Sequence, residues 1–171
     1  MIRRPPRSTQ GVSSAASDVY KRQDIDLLKK LKDPEVGFTI TCLDPEIQRK
    51  FEPGASPVER RFEALKKLNQ EGINTFIFFG PILPYFSDTE KSISSVFNKA
   101  IEAGVKYIYV DKMNYTPSIW SRLNIFLSLN FPELLSHYQS TYYSNGSYAE
   151  KLRTKIRKLY KDSPFELELV F

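Results

Sequence analysis

"NTFIFFGPILP", residues 74–84, is the stretch on which the fold turns. Its first seven residues read as a strand that is apolar on both faces, the pattern of a parallel sheet covered by helices. Helical patterns flank it. Residues 57–71 place Val58, Phe62, Leu65 and Leu68 on one face and close on Gly72; residues 87–103 do the same with Ile93, Val96, Phe97, Ala100 and Ile101, closing on Gly104. Two further β-rich runs, "VGFTITCL" (36–43) and "KYIYVD" (106–111), complete a repeat of strand, loop, helix, glycine, strand, with starts near 36, 74 and 106. Such alternation means βα units and a parallel sheet with helices outside.

Outside the repeat, residues 24–33 read as a short amphipathic helix. Residues 116–129 and 132–142 read as helices, and 147–161 as a basic helix with Leu152, Ile156 and Leu159 turned inward. "FELELVF" (165–171) is a closing strand or an extended tail. The expected organisation is a segment 1–23, three parallel βα units over 24–125, and a helical extension over 126–171. Three parallel strands are too few to close a barrel and leave an unpaired edge. The chain therefore reads as the second half of a larger α/β fold.

Between the first strand and its helix lies "FEPGASPVERRFEAL" (51–65). Pro53 and Gly54 mark a turn, and Ser56 is expected to cap the helix, with Pro57 at its first position and Glu59 completing a capping box. Glu52 and one of Arg60 and Arg61 are left without a structural task.

Of the 171 residues, 41% are hydrophobic and 26% charged, which suits a soluble globular domain. No stretch approaches the roughly 18 apolar residues that a membrane span needs. The single cysteine excludes an internal disulfide and a multi-cysteine metal site within one chain, and fits a cytoplasmic setting. The net charge of +5 suggests nucleic acid, but residues 1–23 hold five basic residues against one acid and leave only +1 for residues 24–171. That first segment is Arg- and Ser-rich like an organellar transit peptide, yet lacks an apolar face at helical spacing. "MIRRPPRST" and "SSAASDVYKRQ" look like translated sequencing-adapter sequence, so native sequence is expected to begin near Asp24. Oligomeric state is not legible.

In parallel α/β folds ligands bind beyond the carboxyl ends of the strands. Those ends carry Thr39, Thr41 and Cys42, then "GPILP" (80–84), then Asp111, Lys112 and Asn114. Alternation puts Val36, Phe38 and Ile40 toward helices and Gly37, Thr39 and Thr41 toward a cavity; Ile108 and Val110 face helices, leaving Tyr107, Tyr109 and Asp111 on the cavity side. A mouth lined by hydroxyls and a carboxylate suits a polar small molecule. No Gly-rich phosphate loop, metal-spaced histidine pair or nucleophile elbow appears. His137 reads as a surface or packing residue, and Cys42 as a small buried side chain.

"GFTITCLDPEIQRKFEPGASPVERRFEALKKLNQEGINTFIFFGPILPYFSD" resembles the second half of the radical S-adenosylmethionine domain of spore photoproduct lyase-like proteins, as do "YIYVDKMN" and "PSIW". The resemblance covers residues 24–125. It implies a partial TIM-type (β/α)6 barrel in which a [4Fe–4S] cluster and S-adenosylmethionine together generate a 5′-deoxyadenosyl radical. It also implies that Thr39 and Thr41 meet the ribose or methionine end of the cofactor, and that Glu52 and Arg61 pair with each other or meet its carboxylate. Pro81 and Ile82 would lie near the adenine, with Asp111 and Asn114 completing the set of cofactor-binding candidates. The Cys-x3-Cys-x2-Cys cluster loop is absent. The chain as given is therefore expected to hold no cluster and, with half of the site missing, no more than weakly bound S-adenosylmethionine, and to be inactive, with no catalytic or metal-binding residue of its own, while the parent would be an enzyme. DNA is a partner by family analogy alone. The rival reading is a cofactor-free βα domain that binds a small molecule or serves as a scaffold.

Overall fold

The computed structural model describes residues 22–161 and 163–171. The reading of residues 1–23 as non-native lies almost wholly outside the described residues. The elements run α1 (Arg22–Leu28), β1 (Glu35–Ile40), α2 (Pro45–Phe51), α3 (Val58–Gln70), β2 (Asn74–Ile82), α4 (Glu90–Ala103), β3 (Tyr107–Lys112), α5 (Pro117–Asn130), a 3-10 turn (Pro132–Leu134), α6 (Leu135–Tyr143), α7 (Asn145–Tyr160) and β4 (Glu166–Leu169). The strands form one all-parallel sheet in the order β1-β2-β3-β4. This is the expected partial βα barrel with a C-terminal helical extension. Of the two readings of "FELELVF", closing strand or extended tail, the strand holds: β4 pairs with β3 as a fourth parallel strand beside the three of the βα units.

Local chemistry explains most boundaries. Gly104 ends α4 with a left-handed φ of 70°, and Gly72, at φ 79°, turns the chain from α3 into β2. Thr89 and Thr116 cap α4 and α5 by accepting from the amides of Ser92 and Ile119. Two expectations need correction. Residues 45–51 form the helix α2, capped by Asp44, which accepts from Glu46 N at 2.8 Å and Ile47 N at 3.1 Å. Ser56 does not cap α3: Pro57 holds the cap position without a side-chain bond, and the buried Ser56 hydroxyl has no partner among the described residues. Its carbonyl is used instead, accepting from Gln48 Nε2 and Arg61 Nε, each at 2.9 Å.

The sheet is covered on one side. Phe38, Ile40, Ile77, Phe79, Ile108 and Val110 face α3, α4 and α7 and are buried against Leu65, Leu68, Ile93, Val96, Leu152 and Ile156. The other face is half-exposed: along β2, Phe76 and Phe78 alternate with the buried Thr75, Ile77 and Phe79. The expectation that β2 is buried on both faces is thus corrected, because among the described residues no element covers the second face. β3 follows its expected alternation, with Ile108 and Val110 buried and Tyr107, Tyr109 and Asp111 on the open side.

A second apolar cluster fastens the extension to the carboxyl ends of the strands. Phe51 at the end of α2 packs on Phe126 of α5 at 4.7 Å between ring centroids, and Phe86, in the loop after β2, packs on Phe131 at 4.8 Å. Tyr138 of α6 lies fully buried in this cluster with its hydroxyl unpartnered among the described residues, an arrangement that costs stability. Tyr138→Phe is therefore expected to leave the calorimetric melting midpoint unchanged or raised. A loss of about 1 kcal/mol would show that the hydroxyl has a stabilising partner.

Candidate functional site

Pairing register stacks the open face into rungs. Gly37, Phe76, Tyr107 and Glu166 form one; Thr39, Phe78, Tyr109 and Glu168 form the next, nearer the carboxyl ends. Phe76 leans over Gly37, where an added Cβ would lie 2.3 Å from the ring, and stacks on Tyr107 with centroids 5.1 Å apart. Only glycine admits that ring. At the amino ends of the strands, Tyr107 reaches across β2 to donate to Glu35 Oε2 at 2.7 Å. Burial and that bond to Glu35 push the Tyr107 phenol up. Glu35, Tyr107, Tyr109, Glu166 and Glu168 border a cavity of about 490 Å³. The sequence reading passed over Glu35, Glu166 and Glu168, although strand alternation alone places Glu35 on the face of Gly37 and Thr39.

At the carboxyl end of β1 four of the expected residues form one hydrogen-bonded group. Arg61, 6% exposed at the start of α3, donates from Nη2 to Glu52 Oε2 at 2.6 Å, from Nη1 to the Thr39 carbonyl at 2.7 Å, and from Nε to the Ser56 carbonyl. The Thr41 hydroxyl donates to Glu52 Oε1. Thr41 is buried, whereas the Thr39 side chain is exposed on the open face.

The neighbouring strands bring the others close. Gly80 lies against β3, so near that an added Cβ would meet the Asp111 carbonyl oxygen at 3.0 Å and Asp111 Cβ at 3.2 Å. Asp111 Oδ1 is buried without a partner among the described residues, while Asn114 Nδ2 approaches Oδ2 at 3.5 Å and Lys112 Nζ approaches Asn114 Oδ1 at 3.3 Å. Burial pushes the Asp111 carboxyl up, against the lowering effect of the Lys112 amide and charge. Pro81 is half-buried at the rim; Ile82 is fully buried in the helix-side core. Cys42 is buried, its thiol pushed up to about 11 mainly by loss of solvent. His137 is exposed with its ring 4.8 Å from that of Tyr85. Among the described residues no three His, Cys, Asp or Glu side chains are grouped to hold a metal ion, and no helix is long and apolar enough to cross a membrane. The mouth thus offers one open hydroxyl on β1, one carboxylate on β3 and one amide just beyond β3, with β2 between the two strands.

No protein-family model matches the chain. It is 32% identical over 117 residues to the uncharacterized protein MJ0683 of Methanocaldococcus jannaschii, a match covering 68% of this chain and 42% of that protein. The chain thus spans less than half the length of that relative. Among solved structures it is similar to SuiB of Streptococcus suis, with a TM-score of 0.52 and 14% identity over 88% of this chain and 30% of SuiB. A second SuiB structure, bound to S-adenosylmethionine, matches with a TM-score of 0.50 and 16% identity over the same shares, 88% and 30%. A third holds SuiB with its precursor peptide SuiA. The expectation of DNA as a partner is corrected on this finding, since the protein with the similar fold is seen with a peptide; the near-neutral charge of residues 24–171 agrees. What this chain shares with SuiB is its fold, a partial βα barrel with helices outside a parallel sheet.

Proposed function

We propose that this chain is part of a radical S-adenosylmethionine enzyme of the spore photoproduct lyase-like kind, and that it forms the side of the barrel where S-adenosylmethionine lies. The observation that carries the reading is the mouth at the carboxyl ends of β1, β2 and β3. There the exposed Thr39 hydroxyl stands on β1 and the Asp111 carboxyl, with one oxygen unpartnered among the described residues, on β3, with β2 between them. The residue pattern of 37–88 and the likeness in fold to a protein that binds S-adenosylmethionine support it.

The donor set suits this cofactor. Thr39, Asp111 and Asn114 would hold ribose hydroxyls or the ammonium group, and Pro81 offers an apolar surface to a flat ring. When bound and reduced, S-adenosylmethionine supplies a 5′-deoxyadenosyl radical. The chain's own part is to bind and orient: β1 presents the hydroxyl, β3 the carboxyl, and α5 and α6 screen this end of the sheet from water through the Phe51–Phe86–Phe131 cluster.

A [4Fe–4S] cluster does not fit the residues present. It is held by several cysteine thiolates, and the chain has only Cys42, buried and with its thiol biased toward the protonated form. Cluster ligands in a whole enzyme would come from outside this chain. Anaerobic reconstitution with iron and sulfide is expected to yield no stoichiometric cluster by iron analysis or by electron paramagnetic resonance after reduction. A stoichiometric signal lost in Cys42→Ala would overturn this.

Equilibrium dialysis of labelled S-adenosylmethionine tests the binding reading itself. Saturable retention, weakened by Asp111→Asn, is the expected result. No retention alongside binding of a simple anion or sugar would favour a cofactor-free binding domain instead.

A further inference from the structure

β4 ends the sheet and, among the described residues, is paired on one side only, with β3. Glu166 and Val170 direct their N–H groups to the β3 side, donating to the Lys106 and Val110 carbonyls at 3.0 Å each. Backbone groups alternate in direction along a strand, so Leu167 and Leu169 turn their N–H and C=O groups to the free edge. Side chains alternate as well. Glu166 and Glu168 are exposed on the open face, while Leu167 and Leu169 are half-buried against the helix-side core. Along this edge runs a groove of about 710 Å³, whose second wall is Arg153, Arg157 and Tyr160 of α7. Arg153 is committed within the protein: it donates to Glu150 and to the Phe171 carbonyl, with its guanidinium 5.2 Å from the centroid of the Phe171 ring. It thereby fastens the residues after β4 to α7.

We infer that the free edge of β4 accepts an extended peptide strand in which basic and apolar residues alternate. The backbone of such a strand would pair with Leu167 and Leu169, the mode of recognition by strand addition. Its apolar side chains would lie in the groove on Leu167, Leu169 and Tyr160. Its basic side chains would stand beside Glu166 and Glu168 on the open face, where opposite charges on neighbouring strands attract and like charges repel. The same glutamates speak against a second copy of this chain as the occupant. Two β4 edges laid side by side would set glutamates opposite glutamates, a common guard of an exposed edge against self-pairing.

The test uses the full chain and two synthetic peptides, acetyl-KVKVKV-amide and acetyl-EVEVEV-amide, titrated by NMR together with hydrogen exchange of the backbone amides. The basic peptide is expected to shift the β4 resonances saturably and to slow exchange at Leu167 and Leu169, with the β1 amides unchanged. The acidic peptide should bind about tenfold more weakly, because two facing charge pairs turn from attractive to repulsive. In the double variant Glu166→Lys with Glu168→Lys the preference should reverse. Both residues are exposed, so the variant is expected to melt as the unaltered chain does. Should it fail to fold, the contrast between the two peptides on the unaltered chain decides. Equal or inverted preference on that chain, shifts centred on β1, binding without protection at Leu167 and Leu169, or no binding of the basic peptide each overturns the inference. So does a dimer in sedimentation velocity whose β4 amides are protected before any peptide is added, which would make a second copy the occupant.

Discussion

Arg61→Ala is expected to lower the unfolding free energy by about 3 kcal/mol, the lower end of the cost of breaking a buried ion pair. The substitution strips the Thr39 and Ser56 carbonyls of a donor and leaves Glu52 without its counter-ion. Partial exposure of Glu52, 21% of its side chain, keeps the figure from the upper end because water can solvate the stranded carboxylate. Against a total of about 5–15 kcal/mol for a domain, such a loss is large. Urea unfolding followed by circular dichroism measures it. A cycle with Glu52→Gln should show about 1–3 kcal/mol of coupling, as for groups sharing one network. Strictly additive losses would mean that the pair does not act as a unit.

Phe79→Ala should cost about 3–5 kcal/mol, the usual penalty for emptying a buried aromatic site. Phe79 is fully buried on β2, paired with β1 and β3 and packed in the core under the helices. Its neighbour Phe78 gives the control. It has the same composition and the same strand but points to the open face and stays half-exposed. Phe78→Ala is expected to cost about 1 kcal/mol, since less apolar area returns to water. Equal losses at both positions in chemical denaturation would show that the open face is covered in solution, contrary to the described fold.

The architecture was legible where a residue type has one physical reason to be present. Gly72 and Gly104 sit at positive φ at helix ends, and the alternation of Ile108 and Val110 with Tyr107 and Tyr109 sorts the two faces of β3. α2 was missed although Asp44-Pro45-Glu46 is a strong start signal, because Phe51-Glu52-Pro53-Gly54 drew the whole segment toward a loop reading. Ser56 misled in the opposite way: a serine before Pro57 fits a cap, but its carbonyl is held by Gln48 and Arg61 and its hydroxyl has no partner among the described residues. Phe76 and Phe78 read as core because apolarity cannot reveal which face of a strand lacks a cover. The Glu52–Arg61 pairing was one of two readings the residues allowed. The link from Arg61 to the Thr39 carbonyl was not readable, since a bond to backbone leaves no mark in residue type.

The sheet's order has a bearing on how the protein is made. Each strand lies beside the one that precedes it in the chain, β1-β2-β3-β4, with no strand inserted between two others. During synthesis the ribosome delivers residues at about 5–20 per second and domains assemble from the first-made end. Every newly emerged strand here finds its docking edge already in place on the strand just before it. No earlier pairing has to be broken to admit a later one, so the nascent chain can grow its sheet outward one βα unit at a time.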